Sequence, residues 1–257
     1  MRYTFATAGG KPVRPETAIT ADGVDPEPDW GALSGGLAVL FECGGEILRK
    51  VVRERMAGHF VRCDHHFPGD PGYGKPPQAF WMGSSLGQLV TCLQEAGILP
   101  QMYRPTREQL YAAAADHCLA AAYRGECPGI DPDQLMRWRA ESRAAFQNRS
   151  VDAILADIES AREAIAEAPR IIIGGEPVAD LRGHSVPELP EAAAREGIAV
   201  LATPPVRQGE RAKVVLQAAS PEVLRAWPRW AATHGILDTY GDPLRGFAGG
   251  YISDEGQ

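Results

Sequence analysis

Apolar and polar positions fall into blocks that read alternately as strands and helices. Residues 36–41 form a short continuous apolar run ending in Phe41, as expected of a strand buried on both faces. Gly44 and Gly45 break it. Over residues 46–56, Ile47, Leu48, Val51, Val52 and Met56 recur at helical spacing, and Gly58 closes that helix. Residues 59–63 are the next strand, which completes a β-α-β unit of right-handed connection. A loop rich in Pro and Gly follows over residues 67–78. Ser84 or Ser85 caps a helix running to about Ala96, and further helices are predicted over 106–123, 132–146 and 150–168. Past these, 170–173, 198–202 and 213–217 read as strands, 189–195 and 221–234 as helices, and 241–250 as a Gly-rich loop. The polar, Pro-rich stretch 10–30 predicts no element.

This order predicts an α/β fold: a mainly parallel sheet with helices on both faces, plus a smaller C-terminal α/β unit. The expected division is an α/β domain over 1–149, a connector helix over 150–168 and a small α/β domain over 169–257. The chain's 257 residues suffice for a sizeable core. A net charge of −7 argues against a broad electrostatic footprint for long duplex nucleic acid. No apolar run approaches a membrane span, and the N-terminus lacks a signal peptide's pattern, so no membrane partner is expected. Five cysteines without a Cys-x-x-Cys fit a reducing, cytoplasmic setting.

Chemistry enters at Asp64-His65-His66. One carboxylate and two imidazoles on consecutive residues are either a polar loop with surface histidines or a site. At the carboxyl end of a parallel strand, where crevices of open α/β sheets lie, the second reading has a physical basis. Glu42 ends the neighbouring strand, so the two tips should lie close together. Asp116-His117 falls within an otherwise apolar helix, where burial demands a partner, and a metal is a natural one. The loop after the histidines places Tyr73 and Lys75 as candidates for the cleft.

These segments resemble, in order, the motifs of the DHH phosphoesterase superfamily, and within it the Myg-type metal-dependent hydrolases. The matching stretches are Glu42-Cys43-Gly44-Gly45, Asp64-His65-His66, Ser84-Ser85-Leu86-Gly87, Asp116 and Phe247-Ala248-Gly249-Gly250. The superfamily's first motif is degenerate here: at residues 7–16 its two histidines and its aspartate are missing. The resemblance implies one metal position formed by Glu42, His65 and Asp116. It implies Asp64 and His66 as catalytic or supporting groups, and Arg245, Gly249 and Gly250 as substrate contacts. It implies a divalent cation, Mn²⁺ foremost, with Zn²⁺, Fe²⁺ or Mg²⁺ as alternatives. The expected activity is metal-dependent hydrolysis of a small phosphoester or nucleotide. Two alternatives stay open: a single-metal enzyme of different chemistry, such as amide hydrolysis or a biosynthetic step, and a degenerate protein that binds a nucleotide or a partner.

Overall fold

The computed structural model describes residues 7–12, 25, 38–42, 60–206 and 211–252. The helix expected over 46–56 and most of the stretch 10–30 lie outside the described residues, as do Cys43, Gly44 and Gly45.

Strands β1 (Thr7–Ala8) and β2 (Lys11–Pro12) form a small antiparallel hairpin. Gly9 and Gly10 turn it with φ of +56° and +75°, and both amides donate to the Asp25 carboxylate at 2.9 Å. Strands β3 (Ala38–Phe41) and β4 (Phe60–Cys63) pair in parallel, with Val39 opposite Val61. Five helices follow: α1 (Phe80–Gly83), α2 (Ser85–Glu95), α3 (Arg107–Tyr123), α4 (Pro132–Gln147) and α5 (Val151–Glu167). Side-chain caps start most of them. Ser84, Thr106, Asp131 and Ser150 each accept a hydrogen bond from an otherwise unpaired first-turn amide.

The largest sheet lies in the C-terminal part. Its strands are β5 (Arg170–Ile173), β6 (Glu176–Leu181), β7 (Val200–Ala202), β8 (Lys213–Gln217), β9 (Ile236–Asp242) and β10 (Phe247–Ile252), in the order β5-β6-β7-β8-β10-β9. Helix α6 (Leu189–Glu196) joins β6 to β7, and α7 (Pro221–Ala232) joins β8 to β9. Period-2 alternation divides the strands' side chains between two faces. Val200, Ala202 and Val215 pack with Ile154, Ile158 and Ile165 of α5 and with Ala192 and Ala193 of α6. Leu201, Val214 and Leu216 pack on the opposite face with Val223, Leu224 and Trp227 of α7. Met136, Ala140 and Ala144 of α4 join the first of these clusters. A third cluster, around Phe80, Tyr111, Cys118, Cys127 and Leu135, lies under α3.

The expectation of a mainly parallel sheet is corrected. Among the described residues, parallel pairing is confined to β3–β4 and β6–β7, and every other strand pair is antiparallel. Three strands of the C-terminal sheet escaped the pattern, as did the hairpin strands β1 and β2. Turn signals masked β6, β9 and β10, and the stretch 241–250 is mostly strand rather than loop. The glycines of β10 serve close packing. A Cβ on Gly249 would lie 2.4 Å from the Tyr240 hydroxyl, and one on Gly250 would lie 2.5 Å from Ile236 Cγ2.

Candidate active site

The ends of β3 and β4 bring Glu42 beside Asp64, His65 and His66. Glu42 leaves β3 in the left-handed region, at φ +55°, while its amide still donates to the Cys63 carbonyl at 3.0 Å. Such a conformation is costly for a residue with a Cβ and concentrates at functional positions. Its carboxylate accepts a hydrogen bond from Ser85 Oγ, at the start of α2.

Asp64 is fully buried and organises the turn after β4. Its Oδ1 accepts from the His65 amide at 2.7 Å, from the His66 amide at 3.3 Å and from His66 Nδ1 at 2.6 Å. Gln88 clamps its main chain, accepting from the Asp64 amide at 2.9 Å and donating to the Asp64 and Gly83 carbonyls. Burial favours the neutral acid, but the His66 ring and the two amides outweigh it and hold the carboxyl below its usual range.

His65 has its Nδ1 3.1 Å from the Gly83 carbonyl. A carbonyl only accepts, so Nδ1 carries the proton and Nε2 keeps its lone pair. Nε2 is buried without a hydrogen-bond partner, and it faces Glu42 Oε1 and Asp116 Oδ2, each at 3.7 Å. Burial, reinforced by Arg245, His66 and His117, lowers the His65 pKa to about 2. His117 likewise presents Nε2 to the Lys75 carbonyl at 2.9 Å, and its Nδ1 lies 3.4 Å from His65 Nδ1. Burial lowers its pKa to about 4. Both rings are therefore neutral near pH 7, each in a tautomer set by a carbonyl. Glu42 is raised, first by burial and then by the Asp116 charge. Asp116 is raised by desolvation too, although 42% of its side chain remains exposed at the cleft mouth.

The structure therefore gathers Glu42, Asp64, His65, His66 and Asp116 in one cleft, and the ligand atoms of Glu42, His65 and His66 all lie within 4.8 Å of one another. Tyr73 and Lys75 lie on the loop that follows β4. The Lys75 side chain is exposed while its carbonyl holds His117, and Tyr73 is half-buried, with burial and Asp242 raising its phenol. Arg245 is buried, with its guanidinium directed at main-chain carbonyls. Gly249 and Gly250 are interior positions of β10, where the Gly249 carbonyl accepts from Trp227 Nε1.

Sequence reasoning did not foresee Gln88, Gly72 or Gly83 as parts of the site. A Cβ on Gly83 would lie 2.5 Å from the His117 ring, and one on Gly72 would lie 2.1 Å from the Gly83 carbonyl. For Gln88 a signal existed. Ser85, Gln88 and Cys92 recur at spacings of three and four, so a polar amide stands on the inner stripe of α2. For the two glycines nothing local distinguishes a close approach from an ordinary turn.

No protein-family model and no solved structure matches the chain. Among curated proteins, the chain is 37% identical over 102 residues to a pimeloyl-[acyl-carrier protein] methyl ester esterase of Serratia marcescens, covering 38% of this chain and 37% of that protein. It is 33% identical over 137 residues to the protein of the same name from Klebsiella pneumoniae subsp. pneumoniae, covering 44% of this chain and 49% of the relative. The match thus spans less than half the length of these relatives.

Their names make them esterases, which points to hydrolase chemistry, and they overturn the DHH phosphoesterase resemblance. The metal-dependent phosphoester or nucleotide hydrolase that it implied, and manganese as its mark, fall with it. The physical reason is the shortness of the motifs. Ser84 is a helix cap, Gly249 and Gly250 make room for Tyr240 and Ile236, and Asp64 caps its own turn. Each has a local structural cause that recurs in unrelated folds.

Proposed function

We propose that the chain is a hydrolase of carboxylic esters whose active site is the cleft between Glu42, His65, His66 and Asp116. The observation that carries the reading is the Asp64–His66 pair. A buried carboxylate accepts a hydrogen bond from Nδ1–H of a part-exposed imidazole at 2.6 Å, which leaves the His66 Nε2 lone pair as a base. That nitrogen removes a proton from water as the oxygen attacks the ester carbonyl carbon. The tetrahedral intermediate then collapses with cleavage of the C–O bond, and His66 Nε2 returns the proton to the departing alkoxide. Asp64 fixes the tautomer and stabilises the imidazolium while it lasts. The names of the partial relatives support the choice of a carboxylic ester.

A specific observation favours a cation in the same cleft. The lone pair of His65 Nε2 has no donor and faces two carboxylates at 3.7 Å, one of which accepts from Ser85 Oγ, and a positive charge would satisfy that lone pair. His65, Glu42 and Asp116 would hold a divalent ion, to which the ester hydrolysis above assigns no step. The four free, buried cysteines among the described residues fit a cytoplasmic setting.

The test is hydrolysis of p-nitrophenyl and methyl esters of graded acyl length, with and without chelator. Activity that His66→Gln lowers by about 100-fold or more supports the reading. An ester panel left untouched by the wild-type chain, with or without added divalent ions, refutes it. Stoichiometric binding of Zn²⁺ that His65→Ala abolishes supports the cation position, and binding unchanged by that substitution refutes it.

A further inference from the structure

Helix α3 breaks at Cys118, whose backbone angles of φ −155° and ψ 59° are not helical. At such a break the carbonyls of the preceding turn need donors from elsewhere. Here the break follows directly on Asp116 and His117. The donors come from far along the chain, at the turn between β9 and β10. Arg245 Nε donates to the His117 carbonyl at 3.0 Å, and Nη2 donates to the Asp116 carbonyl at 3.0 Å. Nη1 reaches the His65 carbonyl at 3.3 Å. Arg245 is only 9% exposed, and its planar fork serves three main-chain acceptors, on His65, Asp116 and His117.

The same turn grips the other wall. Asp242 Oδ2 accepts from the Gly74 amide at 2.6 Å, and its Oδ1 accepts from the Leu244 amide at 2.9 Å. The Arg245 amide donates to the Asp242 carbonyl at 3.0 Å, so the two side chains share one rigid turn.

We infer that Arg245 is a positioning residue, which holds the kink of α3 and the end of β4 in register so that Asp116 and His117 face His65. It acts through the main chain, without gripping substrate. The kinetic part of the inference rests on the ester-hydrolase reading; the spectroscopic part does not.

The test compares the wild-type chain with Arg245→Ala and Arg245→Lys. Long-range ¹H–¹⁵N spectra of the imidazole rings report tautomers directly. The wild type is expected to show His65 protonated at Nδ1 and His117 at Nε2. In Arg245→Ala both rings are expected to lose their single tautomer while the backbone amide spectrum stays dispersed. Ethylguanidinium should restore them, because a cavity of about 120 Å³ lined in part by Arg245, Pro77 and Ala120 adjoins the position. On an ester substrate, kcat should fall about 10- to 100-fold with KM within about twofold, as expected of misplacement rather than lost binding. If Arg245→Ala does not fold, Arg245→Lys decides, since one ammonium cannot span three carbonyls. It should show the same loss in weaker form. Unchanged tautomers in the folded variant overturn the inference, as does a rise in KM at constant kcat. If the wild type hydrolyses no ester, the functional reading fails and the ring spectra alone decide the role of Arg245.

Discussion

The C-terminal sheet and the cleft bury their residues for opposite reasons. In the sheet, Val200, Leu201 and Ala202 are buried in sequence, as are Val214, Val215 and Leu216, because helices cover both faces. In the cleft, Asp64, His65, Ser84, Ser85, Gln88 and His117 are each 7% exposed or less. Apolar contact does not hold them; a chain of directed hydrogen bonds does. Two buried atoms are left out of that chain, Asp64 Oδ2 and His65 Nε2. Native interiors satisfy nearly all their polar atoms, and the sheet region keeps exceptions of its own at Arg211 Nε and Gln217 Oε1; those of the cleft differ in belonging to a carboxylate and an imidazole.

The largest effect that separates the two regions should come from Trp227, the largest side chain of the sheet's core. Trp227→Ala removes its contacts and its hydrogen bond to the Gly249 carbonyl, at a cost of about 3–5 kcal/mol in urea unfolding. The molecules that remain folded should keep their ester turnover. A loss below about 1 kcal/mol would mean that the sheet is not the stabilising element. His66→Gln is the converse experiment. Its turnover should drop by about 100-fold or more while its unfolding free energy falls by only about 1–2 kcal/mol, the effect of weakening the donor to the buried Asp64 carboxylate. A large stability loss there would show that the imidazole is structural and would erase the contrast.

The sheet region and the cleft also differed in how far the sequence revealed them. Helices with clear caps, such as those starting at Ser84, Thr106 and Ser150, were legible because one side chain meets one unpaired amide three residues on. Val39 opposite Val61 was legible from the apolar run and the break after it. The mixed sheet was not. β9 and β10 carry Gly241, Gly249 and Gly250, whose small size answers to neighbours across the sheet rather than to a turn. In the cleft, residue type marked Glu42, His65 and Asp116 as polar groups in apolar surroundings, and the ligand atoms that lie within 4.8 Å of one another are those of Glu42, His65 and His66. The roles of Gln88 and Arg245 were hidden, since both act on main-chain atoms whose positions only the fold supplies.

A middle-sized effect tests how tightly the cleft is packed. Gly83→Ala places a methyl group 2.5 Å from the His117 ring, which is itself hydrogen-bonded to the Lys75 carbonyl and cannot retreat freely. Overpacking of this kind should cost about 1–3 kcal/mol and should lower turnover as well, because the Gly83 carbonyl also fixes His65. Thermal melts and kinetics on the same preparation check both parts. A variant of wild-type stability would show that the histidine pair has room to move.

The smallest effect comes from a charged pair on the sheet itself and measures what a polar contact contributes without burial. The Arg182 guanidinium donates to both oxygens of Asp180, at 2.9 and 2.7 Å, and holds that carboxyl below the usual aspartate range. The arginine is 36% exposed, so water screens the pair and its stabilisation should be about 0.5 kcal/mol. The sign follows from the direction of the shift. The native carboxyl binds its proton less readily than the unfolded one. The contribution is therefore complete above the unfolded aspartate value of about 3.9 and fades as pH falls through the lowered native value. Asp180→Asn should then be less stable than wild type at pH 7 by that small amount, and the two should converge as the solution is acidified. A difference that widens toward low pH would reverse the sign and show that Asp180 is not held ionised by its neighbour. A difference of several kcal/mol at pH 7 would place the pair among the directed contacts of the cleft rather than the solvated edge of the sheet.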